Sequence, residues 1–400
     1  MSQLKVLFNE EIRGAKFLWS LVGLLSVLSV LAVYSASVAL TKYNMDSTVF
    51  MLFRHLPFVI AGLFIVWYIG NHDYIIFNRM APFMLLLAIM LLIFALFGGV
   101  SINSARRWIN IPILNITFQV SDFAKIALIT YLARSIAAKQ EIIKDFKTAF
   151  VPILLPVLII CGLIAPSNFS TAAILFVCSV IMLIVGRIKM KYILLLLALG
   201  IVLLGLLVYI GQFLPDTVRV TTWVKRISDF INPSAENYQA EQARIAIARG
   251  SFFGAGPGKS MLRHFIPYSY ADFIFAIVCE EYGLAGAVLL IILYMALMWH
   301  CILIVKKSPK AFGSILTIGL GFSIVMQAFA NMAVSLGLVP VTGQTLPYIS
   351  MGGTSLLFTS LAFGMIVSVS KHINSLTLER SESAGLQDSS EDTNAYEDHH

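Results

Sequence analysis

ADFIFAIVCEEYGLAGAVLLIILYMALMWHCILIV, residues 271–305, is too long and too apolar for the core of a water-soluble domain, yet it contains three carboxylates, Asp272, Glu280 and Glu281. A helix rises about 1.5 Å per residue, so about 20 apolar residues cross the hydrocarbon of a bilayer. Such runs recur along nearly the whole 400-residue chain. Ten are read, near 17–38, 55–70, 80–98, 119–137, 149–165, 171–187, 190–213, 272–304, 311–337 and 353–372. Asp122, Lys125 and Arg134 interrupt the fourth. Hydrophobic residues make up 58% of the chain and charged residues 12%, with a mean hydropathy of +0.86. These values exclude a soluble globular domain. The expected fold class is all-α, a polytopic membrane protein of about ten transmembrane helices.

Lysine and arginine are enriched on the cytoplasmic side of membrane proteins. With the N-terminus inside, alternating spans put sixteen of them inside, from Lys5, Arg13 and Lys16 to Lys371 and Arg380, against four in the short outer loops: Lys42, Arg54, Arg106 and Arg107. The domain plan is then a cytoplasmic N-terminus at 1–16, a ten-helix domain at 17–375 and a polar, acidic, disordered cytoplasmic tail at 376–400. Residues 214–271 form a long extracytoplasmic loop between helices 7 and 8. The net charge of +7 follows from topology rather than nucleic-acid binding. The first apolar run is long enough to span and lacks a small-residue cleavage site, so no cleaved signal peptide is expected. Cys161, Cys178, Cys279 and Cys301 lie inside apolar runs and read as small core residues, not as metal or redox sites.

Chemistry is sought where polar residues crowd the outer face. SINSARRWINIPILNITFQVSDFAK, 101–125, brings Arg106, Arg107 and Trp108 to the interface and Gln119, Ser121, Asp122 and Lys125 into a helix. Asp122 and Lys125, three apart, share a face as a polar wall or a locally neutralised pair. APSNFSTA, 165–172, is a tight turn where Asn168 or Ser170 can cap the next helix. ARGSFFGAGPGKSMLRHFIPYSYADF, 248–273, contains GPGKS, but Phe253 stands where a Walker loop needs glycine, so nucleotide binding is rejected. What remains is a glycine-rich loop with Lys259, Arg263 and His264, suited to clamp a charged head group. GLVPVTGQTLPYISMGGTSLL, 337–357, is broken by Pro340, Gly343, Pro347, Gly352 and Gly353. Irregular backbone at membrane depth must be buried in protein or line a cavity, and a cavity is expected. On one helix Asp272 and Glu280 would stand about 12 Å apart. A hydrolytic carboxylate pair needs about 5–9.5 Å. Asp272 is thus the reachable carboxylate at the outer mouth, while Glu280 and Glu281 satisfy broken backbone or a basic partner.

ARRWI (105–109), QVSDFAK (119–125), NYQAEQARIAIARGSFFGAGPGKS (237–260), ADFIFAIVCEEYG (271–283) and PVTGQTLPYISMGGTS (340–355) together resemble the SEDS family of membrane glycosyltransferases (shape, elongation, division and sporulation), in its FtsW branch. The resemblance spans nearly the whole chain. It implies a ten-helix peptidoglycan glycosyltransferase that polymerises lipid II on the outer face of the cytoplasmic membrane during cell division. Asp272, in the DFIF motif, is the implied catalytic residue. The substrate-binding set is Arg106, Arg107, Gln119, Ser121, Asp122, Lys125, Asn168, Lys259, Arg263, Ser350, Gly352, Gly353, Thr354 and Ser355. The implied partners are lipid II, the undecaprenyl-pyrophosphate-linked glycan, a class B penicillin-binding protein and other division proteins. No metal site is assigned, and a divalent cation is the one cofactor left open. Three motifs depart from the family: QVSD stands for QPSE, APSNFST for a QPDFGT-like turn, with Asn168 in place of an aspartate, and SMGGTS for SYGGSS. A lipid II flippase, a non-catalytic division scaffold and a RodA-like elongation enzyme are the alternatives.

Overall fold

The structure, a computed structural model, describes residues 2–37, 47–102, 105–111, 116–211, 226, 230, 238–266, 269–373 and 375. The tail at 376–400 and most of the first half of the long outer loop lie outside the described residues.

Each of the ten expected segments is helical. The first seven are α1 (Ser2–Ser37), α2 (Ser47–Gly70), α3 (Ile75–Gly98), α4 (Val120–Ala138), α5 (Val151–Ile164), α6 (Phe169–Val185) and α7 (Met190–Gly211). The long loop contributes α8 (Tyr238–Gly250) and two single turns, α9 (Leu262–Phe265) and α10 (Ser269–Asp272). The last three long helices are α11 (Ile274–Lys307), α12 (Ala311–Ser335) and α13 (Thr354–Ile373). By length and apolarity, seven helical segments among the described residues can cross a membrane; α6 and part of α7 are shorter apolar helices, and the charge-bearing α4 falls outside both groups.

α12 and α13 form the buried centre, while α2 and α3 are peripheral. Phe53, Phe64, Phe83 and Phe97 stand exposed on the latter pair. A row of large exposed apolar side chains is stable against lipid tails, not water, and marks a multi-pass membrane protein. Polar side chains occupy the interior: Ser29, buried on α1, donates to the Ile349 carbonyl at 3.0 Å and stands 2.9 Å from Nε2 of buried His55 on α2.

Two features depart from an uninterrupted helical reading. Between α3 and α4 the described residues form a three-stranded antiparallel sheet of β1 (Val100–Ile102), β2 (Ala105–Ile111) and β3 (Ile116–Gln119) in the order β1-β2-β3. Trp108 faces Gln119 and Ile109 faces Phe118 across β2 and β3. Their β-branched and aromatic residues suit a strand, and pairing satisfies the backbone that leaves α3 for α4. The second departure is inside α11, where Gly283 (φ 65°, ψ −157°) breaks the helix. The half before the break, from Ile274 to Glu281, is entirely buried; the half after it exposes Leu284, Val288 and Ile292. Carbonyls freed by the break are satisfied from the glycine-rich loop: Ala255 N–H donates to Glu280 O at 2.9 Å and Gly256 N–H to Glu281 O at 3.0 Å. Only glycine fits here, because a Cβ on Gly283 would stand 2.5 Å from Gly254 N and Phe252 O.

Candidate active site

Asp272 ends the single turn α10, and Phe273 (φ −118°, ψ 23°) separates it from α11. The aspartate therefore sits on its own turn ahead of the long helix rather than in its first turn. It is half-buried. Asn331 Nδ2, from α12, holds its backbone carbonyl at 2.7 Å. The side chain faces the broken segment after α12: a Cβ on Gly343 would lie 3.7 Å from Asp272 Oδ2. Arg226, from the long loop, donates to the Val341 carbonyl at 2.9 Å. Burial pulls the Arg226 guanidinium below its usual range, and the charge of Asp272 opposes that shift. Arg226 was missed in the sequence, where nothing distinguishes it from the other cations of its loop.

Residues 343–345 are a hub. Asn331 Nδ2 also donates to the Gln344 carbonyl at 2.7 Å. The Gln344 amide donates to Thr171 Oγ1 at 2.6 Å and Asn168 Oδ1 at 3.3 Å. Asn168 also accepts from Thr171 N–H at 3.3 Å, which makes it the cap of α6 that the turn predicted. On the other side, Gln327 donates to the Thr345 carbonyl at 3.0 Å and accepts from Lys125 Nζ at 2.7 Å. Lys125 lies 4.0 Å from Asp122 on the same face of α4. Asn168 and Lys125 are thus tied through one loop to the carbonyl of Asp272. Gln327, Asn331 and Gln344 make these links and were not singled out in the sequence. Two amides four residues apart on an apolar helix, Gln327 and Asn331, are a usable signal, since intramembrane polar groups face partners or cavities.

The rest of the broken segment is buried in protein. Leu346 N–H donates to Ser350 Oγ at 2.8 Å, Met351 N–H to the Tyr270 carbonyl at 3.2 Å, and Tyr294 Oη–H to the Pro347 carbonyl at 2.5 Å. Tyr348 is held at φ 67°, a strained conformation for a non-glycine residue that the surrounding bonds maintain. The void beside Pro347, lined also by Lys125 and Gln327, measures about 10 Å³, room for one water. Thr354 joins the sheet, donating to the Thr117 carbonyl at 3.3 Å and accepting from Gln119 N–H at 3.5 Å. Gln119 Nε2 donates to Ser121 Oγ at 3.0 Å. Gly352 and Gly353 turn the chain into α13, where their carbonyls accept from Ser355 and Leu356.

Glu280 and Glu281 are both 1% exposed. Glu280 accepts from Ser260 Oγ at 2.5 Å, Met261 N–H at 3.0 Å and Leu262 N–H at 3.1 Å, with Arg249 3.9 Å away. Glu281 accepts from Ser260 N–H at 3.2 Å and from the Ser35 hydroxyl. The pair therefore fastens the glycine-rich loop, satisfying its backbone as the sequence suggested. In that loop Lys259 is exposed. Arg263 spends its terminal nitrogens on the carbonyls of Ser35, at 3.0 Å, and Gly258, at 2.6 Å. Arg106 and Arg107 lie on β2, and their side chains are outside the described residues. Among the described residues no group of three or more His, Cys, Asp or Glu could hold a metal ion.

The chain is 32% identical over 361 residues to the stage V sporulation protein E of Bacillus subtilis, covering 87% of this chain and 94% of that one. It is 33% identical over 356 residues to a probable peptidoglycan glycosyltransferase FtsW of Alkalilimnicola ehrlichii, covering 86% of each. Its fold matches a chain in a peptidoglycan synthase complex (TM-score 0.70, 22% identity, 89% of this chain and 98% of that one). It also matches the rod shape determining protein RodA of Thermus thermophilus (TM-score 0.63, 21% identity, 88% and 95%). A family model described as cell cycle protein, of FtsW, RodA and SpoVE, matches residues 15–375, so this chain belongs to that family.

Proposed function

We propose that this chain is a peptidoglycan glycosyltransferase that polymerises lipid II into β-1,4 glycan strands on the outer side of the membrane, with Asp272 as general base. The observation that carries this reading is one half-buried carboxylate at the mouth of the bundle, its backbone held by Asn331 and its side chain facing the broken loop. Asp272 takes the proton from the C4 hydroxyl of the incoming GlcNAc. The oxygen attacks the anomeric carbon of the lipid-linked chain, forming the new C–O bond as the bond to pyrophosphate breaks. Undecaprenyl pyrophosphate leaves, and attack from the opposite face converts an α-linked donor to a β-glycan. The leaving group's charge requires cations. Lys259 is exposed for that role, with Arg106 and Arg107 as further candidates; Arg263 can contribute charge while staying bonded to Ser35 and Gly258. The N-terminus and tail lie inside, and 214–271 lies outside.

The branch is division rather than elongation, on the resemblance of GSFFGAGPGKS to the FtsW side of the family, and a class B penicillin-binding protein is the expected partner. The testing experiment is incubation of purified full-length protein with lipid II. Glycan strands support the reading. Lipid II crossing vesicle membranes without product would make the protein a flippase, and neither outcome with intact folding would make it a scaffold. Depletion in the native host should give filaments, whereas round cells that still divide would assign it to elongation.

A further inference from the structure

A cavity lies at the end of the bundle away from Asp272. The membrane-spanning stretch of α1 begins there, at Ala15, α2 gives way to α3, and α13 ends. α13 starts beside Thr117 and Gln119 and reaches Lys371 seventeen residues later, about 25 Å along its axis. The cavity measures about 570 Å³, within the roughly 300–1,000 Å³ range of small-molecule sites.

Two lysines from opposite ends of the chain, Lys16 and Lys371, line it, with His72 and His372. Lys371 Nζ donates one hydrogen to Asn71 Oδ1 at 2.6 Å. Asp73, the one acid in the wall, uses Oδ1 to accept Ile75 N–H at 3.0 Å at the start of α3. His372 stacks its ring edge-on against Tyr74 at 5.1 Å, and its Nε2 is buried without a hydrogen-bond partner. The wall therefore presents a cationic surface. Such a surface suits an anionic oxygen.

Depth decides the ligand class. The turn of α2 just before the cavity carries Trp67 and Tyr68, 53% and 50% exposed, and the Tyr68 ring packs on His72 with centroids 4.4 Å apart. Half-exposed tryptophan and tyrosine at the end of an apolar span sit at lipid headgroup level. A cationic cavity at that depth meets phosphates anchored to lipids before it meets soluble ones.

We propose that this cavity binds the phosphodiester headgroup of an anionic phospholipid in the leaflet opposite Asp272, tying the start of the membrane-spanning stretch of α1 to the end of α13. The inference rests on the membrane reading of the fold and not on the catalytic role of Asp272. The test is thermal unfolding of the full chain in detergent, titrated separately with dihexanoyl phosphatidylglycerol, dihexanoyl phosphatidylcholine and inorganic phosphate. The anionic lipid should raise the unfolding temperature saturably and the zwitterionic lipid should not. Lys16→Ala with Lys371→Ala should weaken the response roughly tenfold or more, and Lys16→Arg with Lys371→Arg should retain it. Equal responses to both lipids, or an alanine pair that responds like the parent, would overturn the proposal. An inorganic phosphate response as strong as that of the anionic lipid would assign the cavity to a soluble phosphate instead. Should the alanine pair fail to fold, the ligand comparison on the parent chain and the arginine pair still decide.

Discussion

Asn331 Nδ2 joins the carbonyl of Asp272 to the carbonyl of Gln344, each at 2.7 Å. One amide thus sets the spacing between the turn that bears the aspartate and the loop that faces it. Asn331→Leu leaves two carbonyls without a donor, at about 1–3 kcal/mol for each that remains dry. The expected result is a lower unfolding temperature and a polymerisation rate that falls in kcat more than in KM, because binding surfaces stay while the base is misplaced. Unchanged kcat in a destabilised variant would make the bond purely structural.

Asp272→Asn keeps the shape of the side chain and removes its basicity. If Asp272 is the general base, lipid II binding persists while polymerisation drops on the order of 10² to 10⁴-fold. Stability should move by no more than about 1 kcal/mol, since a half-exposed charge contributes little. Glycan synthesis at the parental rate by purified Asp272→Asn would remove the residue from the mechanism and turn attention to Asp122.

The broken helix predicts a sharp contrast between two glycines. Gly283→Ala places a methyl 2.5 Å from Gly254 N and Phe252 O, at φ 65° and ψ −157°. It should cost about 3 kcal/mol or more and detach the glycine-rich loop. Gly258→Ala, at φ +74° with nothing within 4 Å of its Cβ, should cost only about 1–2 kcal/mol. Equal unfolding temperatures for the two variants would contradict the packing at the break.

Asn168 uses Oδ1 to accept from both Thr171 and Gln344. An aspartate offers the same acceptor, so Asn168→Asp should polymerise within a few-fold of the parent. Asn168→Leu loses the cap at about 1 kcal/mol and leaves Gln344 one acceptor short. Complete inactivity of a folded aspartate variant would show that the position requires neutrality.

The proposed topology is checked by single cysteines. Cysteine at Lys259 should react with a membrane-impermeant reagent from outside in intact cells, and cysteine at Lys139 only after permeabilisation. The opposite pattern would put Asp272 on the wrong side for the proposed chemistry.

Much of the molecule was legible from one dimension because hydrophobicity is a local property. The apolar runs give ten helical segments close to where they were read, with boundaries shifted by capping residues and turns such as Asn168 before α6. The glycines and prolines of 337–357 announced broken backbone, and Glu280 and Glu281 announced a need for partners. The sheet between α3 and α4 was hidden, since its strands are short and their pairing depends on turns rather than periodicity.

What the sequence by itself determined is the membrane class, the helical segments and the family motifs; Asp272 as the reachable carboxylate is its proposal. The tertiary structure alone decided which polar groups satisfy one another. Lys125 meets Gln327 across 202 positions and Asn168 meets Gln344 across 176; no local pattern encodes such pairs. In an apolar interior each buried donor or acceptor must find a partner wherever the packing brings one. Helix placement thus follows from local transfer energies, whereas the wiring of the site follows from long-range hydrogen bonding that exists only once the bundle has closed.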